Sequence, residues 1–243
     1  MVILTWNDGA RLDTALASAL ASEGVDVNVI VVDNGSELPA VVAADPRVRL
    51  LRNETNRGVA AGRNQGVAAG TAPFVCLLDS DARLHPHTLA HMAGALCDDG
   101  VALAAPVFTG QDPEASAGRA PHTGRKLARA LNLTSSYGGV RRSGSSSQWD
   151  VDFAIGACQL FQRGAYDQVD GIDETFFYGP EDVDFCLRLR KAGYRIVQVA
   201  AASCDHPARR RFRRVLTRRG LEHGWAISRY LWRHRGFARR APA

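Results

Sequence analysis

The first eighty residues alternate between short apolar runs and stretches with helical spacing. Four apolar runs predict strands, and the β-branched run over 27–32 is typical of a strand buried on both faces of a parallel sheet. The runs cover residues 2–4, 27–32, 48–51 and 74–78. Helical spacing over 12–20 and the small residues of 58–70 predict two helices. This order predicts an α/β fold with a doubly wound, mostly parallel central sheet flanked by helices.

The second half of the chain is less regular. Residues 109–148 are rich in Gly, Ser, Arg and Pro and have little periodicity, which predicts a long mobile connection after a segment that begins near Pro106. Residues 149–161 are apolar and β-like, 181–192 predict a helix, and 194–199 predict a last strand. A basic segment then completes the sequence.

Polar residues follow three of the predicted strands. Ligands of open α/β sheets bind beyond the carboxyl ends of the strands, so we expect these side chains to meet in one crevice. They are Trp6, Asn7 and Asp8 after the first strand, Asp33 and Asn34 after the second, and Asp79, Ser80 and Asp81 after the fourth.

Asp79 and Asp81 place two carboxylates two positions apart, directly after a buried strand. Both can reach one cation, or a cation and a ribose hydroxyl, because a turn does not force alternate side chains to opposite faces. Hard oxygen ligands with open positions suit Mg²⁺ or Mn²⁺, which would bridge a diphosphate. The alternative is a surface turn without a ligand.

Three acidic residues, Glu181, Asp182 and Asp184, open the predicted helix over 181–192. Acidic side chains at a helix N-terminus complement its dipole, which is the simple structural interpretation. Aromatic residues precede them at Phe176, Phe177 and Tyr178, so a carboxylate beside this apolar wall could instead act as a general base for an incoming hydroxyl.

Composition excludes several classes of protein. Five scattered cysteines without a C-x-x-C pair imply neither a disulfide scaffold nor a zinc site. No apolar run approaches the ~20 residues needed to span a bilayer, and the first residues lack the features of a signal peptide. We therefore expect a cytoplasmic protein.

The net charge of +5 is unevenly distributed. From Asp205 onward there are twelve arginines and two acidic residues, a surplus of +10 that leaves −5 for the preceding residues. Such a segment suggests an anionic partner, although a solvated helix face is the alternative. Apolar residues over 216–231 fall near helical spacing, which favours an amphipathic helix that packs on the body, forms a homo-oligomer contact or rests peripherally on the inner membrane surface.

The order of motifs along residues 1–206 resembles family 2 glycosyltransferases of the GT-A fold, and is most similar to their rhamnosyltransferase-like branch. The resemblance rests on the segments 4–7, 31–36, 53–66, 77–81, 156–158, 171–177 and 181–184. It implies an inverting transferase with a Rossmann-like GT-A fold, a nucleotide diphosphate sugar donor linked to UDP or dTDP, and a carbohydrate, lipid-linked or natural-product acceptor.

The resemblance also implies roles for individual residues. Thr5 and Trp6 would lie at the nucleobase, Asp33 would accept the imide hydrogen of a uracil or thymine, and Arg63 would support the base and phosphates. Asp79 would face the ribose, Asp81 would hold the metal, and His206 would be a further metal or diphosphate ligand. Asp182 would be the base, with Glu181 beside it. The wider donor set adds Asn7, Asn34 and Ser80, and Asp79 joins the metal set.

On this basis we divide the chain into four parts. Residues 1–108 form a donor-binding half, 109–148 a mobile connection, 149–206 an acceptor and catalytic half, and 207–243 a basic amphipathic tail. The chain departs from the family where the donor loop often reads Asn-Pro-Asp, because Asp79-Ser80-Asp81 stands there. The sugar can therefore not be inherited from the rhamnosyl members.

Other classes of protein fit less well. A sugar nucleotidyltransferase would carry a Gly-rich loop with a basic residue after the first strand, whereas 5–9 holds a single glycine. No G-x-G-x-x-G follows that strand, which disfavours a dinucleotide oxidoreductase. Arginines interleaved with aromatics in the tail resemble a nucleic-acid footprint, but the helical apolar spacing disfavours that interpretation, and we expect no nucleic-acid partner.

Overall fold

A computed structural model describes residues 1–110, 116–119, 147–207 and 218–234. In chain order the elements are β1 Val2–Thr5, α1 Gly9–Leu20, β2 Val29–Asp33, β3 Val48–Arg52, α2 Val59–Ala68, β4 Phe74–Asp79, β5 Arg83–Leu84, α3 Thr88–Ala95, β6 Val101–Thr109, β7 Ala117–Gly118, β8 Gln148–Val151, β9 Phe153–Ala154, β10 Cys158–Gln162, α4 Arg163–Gln168, α5 Glu181–Lys191, β11 Arg195–Asp205 and α6 Arg218–Arg233.

Nine of the described strands form one mixed sheet in the order β3-β2-β1-β4-β10-β6-β11-β5, with β8 paired to β11 outside this order. The strands β3, β2, β1 and β4 are parallel neighbours, and β6 and β11 are parallel to each other. β10 is antiparallel to both β4 and β6, so these two groups run in the same direction. The predicted α/β fold with a mostly parallel central sheet is confirmed.

Side chains that alternate along each strand supply two hydrophobic cores, one on each face of the sheet. In β4, Val75 and Leu77 lie in one core, whereas Cys76 and Leu78 lie in the other. The first core is completed by α2, α4, α5 and α6, and the second by α1 and α3. Helices therefore cover both faces, as the continuous apolar strands predicted.

Helix α2 approaches β1 closely because glycines face the strand. A Cβ atom at Gly62 or Gly66 would collide with the side chains of Leu4 and Val2, respectively. The close approach carries Arg63, between these glycines, to the edge of the sheet, where it is buried.

The structure differs from the sequence-based expectations in two places. The predicted break near Pro106 is wrong, because β6 runs without interruption from Val101 to Thr109. The last strand is longer than predicted, since β11 continues to Asp205 and pairs there with β5 and β6.

Much of the predicted connection over 109–148 lies outside the described residues, as does the tail over 208–217 and 235–243. Within the connection, β7 pairs with β9, so that part is ordered against the second half of the chain. In the described part of the chain, none of the helices combines the length and apolar character needed to cross a bilayer.

Candidate active site

The predicted donor residues follow the carboxyl ends of neighbouring strands. Register places Thr5 of β1 opposite Asp33 of β2, and Leu4 opposite Asp79 of β4. At the far side of the same edge, β11 ends at Asp205 opposite Thr109 of β6. Because these strands run in the same direction, the polar side chains meet along one edge of the sheet, as expected.

Asp33 is fully buried and shapes the loop that follows β2. Its carboxylate oxygens accept hydrogen bonds from the backbone N–H groups of Ser36 and Ala40, both at 2.9 Å, and pair with Arg52. Burial alone would raise the pKa of Asp33, but these hydrogen bonds and the Arg52 charge lower it. The carboxylate therefore stabilises the loop as an anion, and its contact with a nucleobase stays a prediction.

Asn34 is also buried and joins two loops. Its Nδ2 donates to Asn56 Oδ1 and to the Gly58 carbonyl, both at 3.0 Å, while its Oδ1 accepts from Asn53 Nδ2 at 3.0 Å. Asn7 has a left-handed backbone and accepts a hydrogen bond from the Glu37 N–H at 2.8 Å. Both residues organise the edge of the crevice through contacts within the protein.

The remaining predicted donor residues are Thr5 and Trp6, at the end of β1, and Ser80, in the loop after β4. Thr5 is buried, and its Oγ1 has no hydrogen-bond partner among the described residues. Trp6 is half-buried. Ser80 Oγ donates to Asp8 Oδ2 at 3.0 Å, which ties the loop after β1 to the loop after β4. Asp8 was therefore missed as a support of the site, although it belongs to the polar set after β1.

Three predicted metal ligands are brought together. One oxygen each of Asp79 and Asp81 and one ring nitrogen of His206 lie within 4.8 Å of one another. His206 Nε2 is 3.6 Å from Asp81 Oδ1, and the His206 ring packs against Phe108. Burial opposes ionisation of Asp81, but the hydrogen bond and charge of His206 lower its pKa.

The donor chemistry of this group fits a divalent cation. Two carboxylates suit Mg²⁺, Ca²⁺ and Mn²⁺, whereas an imidazole ligand suits transition metals. A mixed set of two oxygens and one nitrogen is therefore more compatible with Mn²⁺ than with Mg²⁺. Three protein ligands also leave coordination positions for phosphate oxygens.

Arg63 connects the candidate metal group with the acidic pair of α5. Its Nη2 donates to Asp79 Oδ1 at 2.8 Å and to the Gly156 carbonyl at 2.9 Å, and its Nη1 donates to Glu181 Oε1 at 3.1 Å. Burial opposes its charge, but the two carboxylates raise the pKa of Arg63. Arg63 thus positions groups from three separate segments, and its predicted support of the base and phosphates stays a prediction.

The acidic pair has two different environments. Glu181 is buried, and burial with the neighbouring charge of Asp182 raises its pKa to about 7, although Arg63 opposes the shift. Its Oε2 has no partner among the described residues. Asp182 is half-buried, and its Oδ2 accepts from the Gly156 N–H at 2.9 Å. Its Oδ1 accepts from the Val183 N–H at 2.7 Å, so backbone N–H groups orient both carboxylate oxygens.

Gly156 joins Asp182 and Arg63; it belongs to the segment 156–158 of the resemblance, but sequence reasoning gave it no role of its own. Its N–H and carbonyl bind Asp182 and Arg63, and a Cβ atom there would lie 2.5 Å from Arg63 Nη1. A lone glycine between Ile155 and Ala157, before a strand, is a signal for close approach of another group.

Helix α6 is attached to α5 near the acidic pair. Arg233 Nη1 and His234 Nε2 lie 3.0 and 2.8 Å from Asp184 Oδ1, and Arg188 Nε donates to Asp184 Oδ2 at 2.7 Å. Burial would raise the pKa of Asp184, but its hydrogen bonds with His234 and Arg188 and the charge of Arg233 lower it to about 2. Asp184 therefore anchors α6, a contact between residues about fifty positions apart that the spacing of charges could not reveal.

The chain is similar to known proteins in sequence and in fold. Residues 1–170 match the family described as "Glycosyl transferase family 2". The "Pre-mycofactocin glycosyltransferase" of Mycobacterium tuberculosis is 33% identical over 82% of this chain and 42% of its own length. The "N-acetylglucosaminyl-diphospho-decaprenol L-rhamnosyltransferase" of the same species is 30% identical over 85% of this chain and 75% of its own length.

Two solved structures share the fold. GalNAc-T7 with UDP, GalNAc and Mn²⁺ superposes with a TM-score of 0.69 at 12% identity, over 86% of this chain and 43% of that one. The mannosyltransferase PcManGT from Pyrobaculum calidifontis, in complex with GDP-Man and Mn²⁺, has a TM-score of 0.63 at 19% identity. The match covers 100% of this chain and 64% of that one.

These likenesses confirm the GT-A fold expected from the motifs. The chain spans less than half the length of the first of these relatives and three quarters of the second. The family match covers most of the chain and includes Arg63 and the loop after β4. This chain belongs to glycosyl transferase family 2.

Proposed function

We propose that the chain is an inverting, metal-dependent glycosyltransferase that passes a sugar from a UDP- or dTDP-linked donor to an acceptor hydroxyl. The observation that carries the proposal is the buried guanidinium of Arg63, which contacts both Asp79 of the candidate metal group and Glu181 of the acidic pair. The group proposed to bind the donor and the pair proposed to accept the proton would therefore share one crevice. Family membership supports the same reaction class.

Asp79, Asp81 and His206 would hold Mn²⁺ or Mg²⁺. When bound, the ion would neutralise charge on the departing nucleoside diphosphate. The two solved neighbours contain Mn²⁺ together with UDP or GDP-Man, which supports a nucleotide sugar donor and favours Mn²⁺. Trp6 would offer a flat face to the base, and Asp33 would recognise the imide of uracil or thymine.

Asp182 would be the general base. An acceptor hydroxyl is a poor nucleophile near neutral pH, so a carboxylate must take its proton while the oxygen bonds to the anomeric carbon. The bond from that carbon to the diphosphate breaks in the same step, and attack from the opposite side inverts the configuration. The Gly156 N–H holds one Asp182 oxygen in place and leaves the side chain half-buried at the crevice.

The acceptor is proposed as a class only. The names of the two relatives point to a natural-product and to a lipid-linked acceptor, respectively, and both are compatible with transfer to a hydroxyl. The sugar nucleotidyltransferase alternative would instead join a sugar phosphate to a nucleoside triphosphate and release pyrophosphate.

A donor panel tests the proposal. UDP-, dTDP- and GDP-sugars are incubated with the chain and candidate acceptors, with Mn²⁺ or with EDTA, and nucleoside diphosphate release is measured. We expect release with a UDP- or dTDP-sugar that EDTA abolishes and Mn²⁺ restores. Pyrophosphate release from a nucleoside triphosphate and a sugar phosphate, without diphosphate release from any donor, would contradict the proposal.

Metal dependence is tested on Asp81. Asp81→Asn removes one charged ligand and should reduce turnover and metal affinity by orders of magnitude. Asp150→Asn is the matched control, because Asp150 is an exposed residue of β8 that pairs with Arg195 outside the site. Full activity of Asp81→Asn in EDTA would overturn metal dependence.

A further inference from the structure

Helix α6 has one face fixed to the protein, and this determines which face points outward. Tyr230 and His234 are 2% and 7% exposed, and Ala226 belongs to the same core. Arg233 forms ion pairs with Asp173 and Asp184, and the Lys191 ammonium donates to its carbonyl. The helix is therefore a docked element with a defined outer surface.

The outer surface carries two tryptophans separated by two helical turns. Trp225 and Trp232 are 66% and 70% exposed, and Arg229, which is half-buried, lies between them in sequence. Spacing of four and three residues places the three side chains on one side of the helix, roughly opposite Tyr230 and His234. The Arg229 guanidinium lies over the Trp225 ring at 5.9 Å from its centroid. We call these three residues the tryptophan face.

We propose that the tryptophan face is a docking site for an anionic lipid surface. Trp and Arg together on the outer side of a helix suit the boundary between headgroups and acyl chains, where a ring inserts and a guanidinium meets phosphate. From Asp205 onward the sequence has a surplus of ten positive charges, which complements anionic lipids. The surface is independent of the proposed transfer reaction.

Two other occupants fit less well. A second copy of the chain would bring the same positive surplus to the contact, and the two would repel. A single-stranded nucleic acid would satisfy the charge, but its successive bases stack on aromatic rings placed close together. Trp225 and Trp232 are about 10 Å apart along the helix axis, which suits simultaneous insertion into a plane.

Vesicle binding by the full chain tests the proposal. Vesicles of phosphatidylcholine alone and of phosphatidylcholine mixed with phosphatidylglycerol are compared by co-sedimentation at low and high salt. We expect binding to the mixed vesicles that weakens with salt, because the attraction is screened. The double variant Trp225→Ala/Trp232→Ala should bind the mixed vesicles at least about tenfold more weakly than the unaltered chain, since two apolar rings no longer insert.

The matched control is Leu38→Ala/Val41→Ala, which removes side chains that are 84% and 80% exposed in the loop after β2. It should bind vesicles like the unaltered chain, and both double variants should keep their circular dichroism spectra because the residues are exposed. Equal binding of the tryptophan variant, or no binding of the unaltered chain at low salt, would overturn the proposal. Tryptophan-dependent binding to a single-stranded oligonucleotide without vesicle binding would overturn it in favour of nucleic acid.

Discussion

Helix α5 carries two buried carboxylates one turn apart, and their surroundings differ. Asp184, on the side of α6, is contacted by Arg188, Arg233 and His234, which hold its pKa at about 2. Glu181, at the crevice, has a pKa raised to about 7 by burial and by the charge of Asp182, and among the described residues Arg63 is its cationic partner. The first turn of α5 thus has one side that faces the crevice and one side that faces α6, and its two carboxylates differ in burial and in the charges around them.

The comparison indicates which acidic residues can participate in chemistry. A carboxylate with several cationic partners is stabilised as an anion and is a weak base. The pair Glu181 and Asp182 is less compensated, because a single guanidinium faces both the pair and Asp79. Charge balance therefore separates Asp184 from its neighbours, although the sequence shows three similar acids.

The largest effect is expected for Asp182→Asn. Asparagine keeps the size of the side chain, and its carbonyl oxygen can still accept from the Gly156 N–H. It loses the bond from the Val183 N–H to the second oxygen, and it cannot take a proton. Sugar transfer should therefore fall by roughly 10²–10⁴ while nucleotide affinity and melting temperature stay near those of the unaltered chain. Both properties are measured on the same preparation.

Normal sugar transfer by Asp182→Asn would contradict the role proposed for Asp182, since the base would then be Glu181 or Asp184. Loss of nucleotide binding together with a lower melting temperature would instead make Asp182 a structural residue at the start of the helix. Glu181→Gln serves as the partner variant, because it neutralises the buried member of the pair and leaves Asp182 intact.

Asp184→Asn should destabilise the protein more than it affects donor binding. Removing one partner of a buried ion pair typically costs about 3–5 kcal/mol, and we expect the lower end because Arg188 and Arg233 are partly exposed. Urea unfolding measures the loss. In Asp150→Asn, where the pair with Arg195 is exposed, the free energy of unfolding should change by less than about 1 kcal/mol. Equal losses in the two variants would contradict the structural role of Asp184.

Gly156→Ala should disturb the side of α5 that faces the crevice and leave the Asp184 contacts intact. The added methyl group would lie 2.5 Å from Arg63 Nη1, so Arg63 must move away from Asp79 or Glu181. We expect a stability loss of about 1–3 kcal/mol and reduced transfer. Gly164→Ala in α4 is the matched control: nothing lies within 4 Å of its added Cβ, and alanine is the better helix former. Similar behaviour of the two variants would mean that Gly156 does not position Arg63.

The fold of the first eighty residues could be predicted because its strands are continuous apolar runs. Strand β6 escaped prediction, since Ala102, Ala104 and Ala105 favour helix on local propensity alone. Its place between β10 and β11, buried on both faces, decides its conformation instead. Tertiary context here overrides the local preference.

Part of the candidate site could be predicted because its residues follow continuous apolar strands. Asp79 and Asp81 follow a recognisable strand, and the structure brings His206 to them across more than a hundred residues. The links through Arg63 and Gly156 depend on side-chain geometry between distant segments; a lone glycine signals a close approach, but no local pattern identifies the partner. The anchoring of α6 by Asp184 is of the same kind.

The smallest and sharpest test of the comparison is the pH dependence of stability, measured in EDTA by urea unfolding of the unaltered chain, Glu181→Gln and Asp184→Asn. Glu181 has a folded pKa of about 7, above its ordinary value of 4.5, so the folded state keeps a proton that the unfolded chain releases between these values. The unaltered chain should therefore lose stability relative to Glu181→Gln as pH rises from about 4.5 to 7.

Asp184 has a folded pKa of about 2, below its ordinary value of 3.8. Its contribution to stability is therefore present above pH 3.8 and is lost as pH falls towards 2. Each slope is limited to about 1.4 kcal/mol per pH unit for one proton, and the two have opposite signs in separate windows. Slopes of the same sign for the two carboxylates would mean that their surroundings do not differ in the way the contacts of α5 indicate.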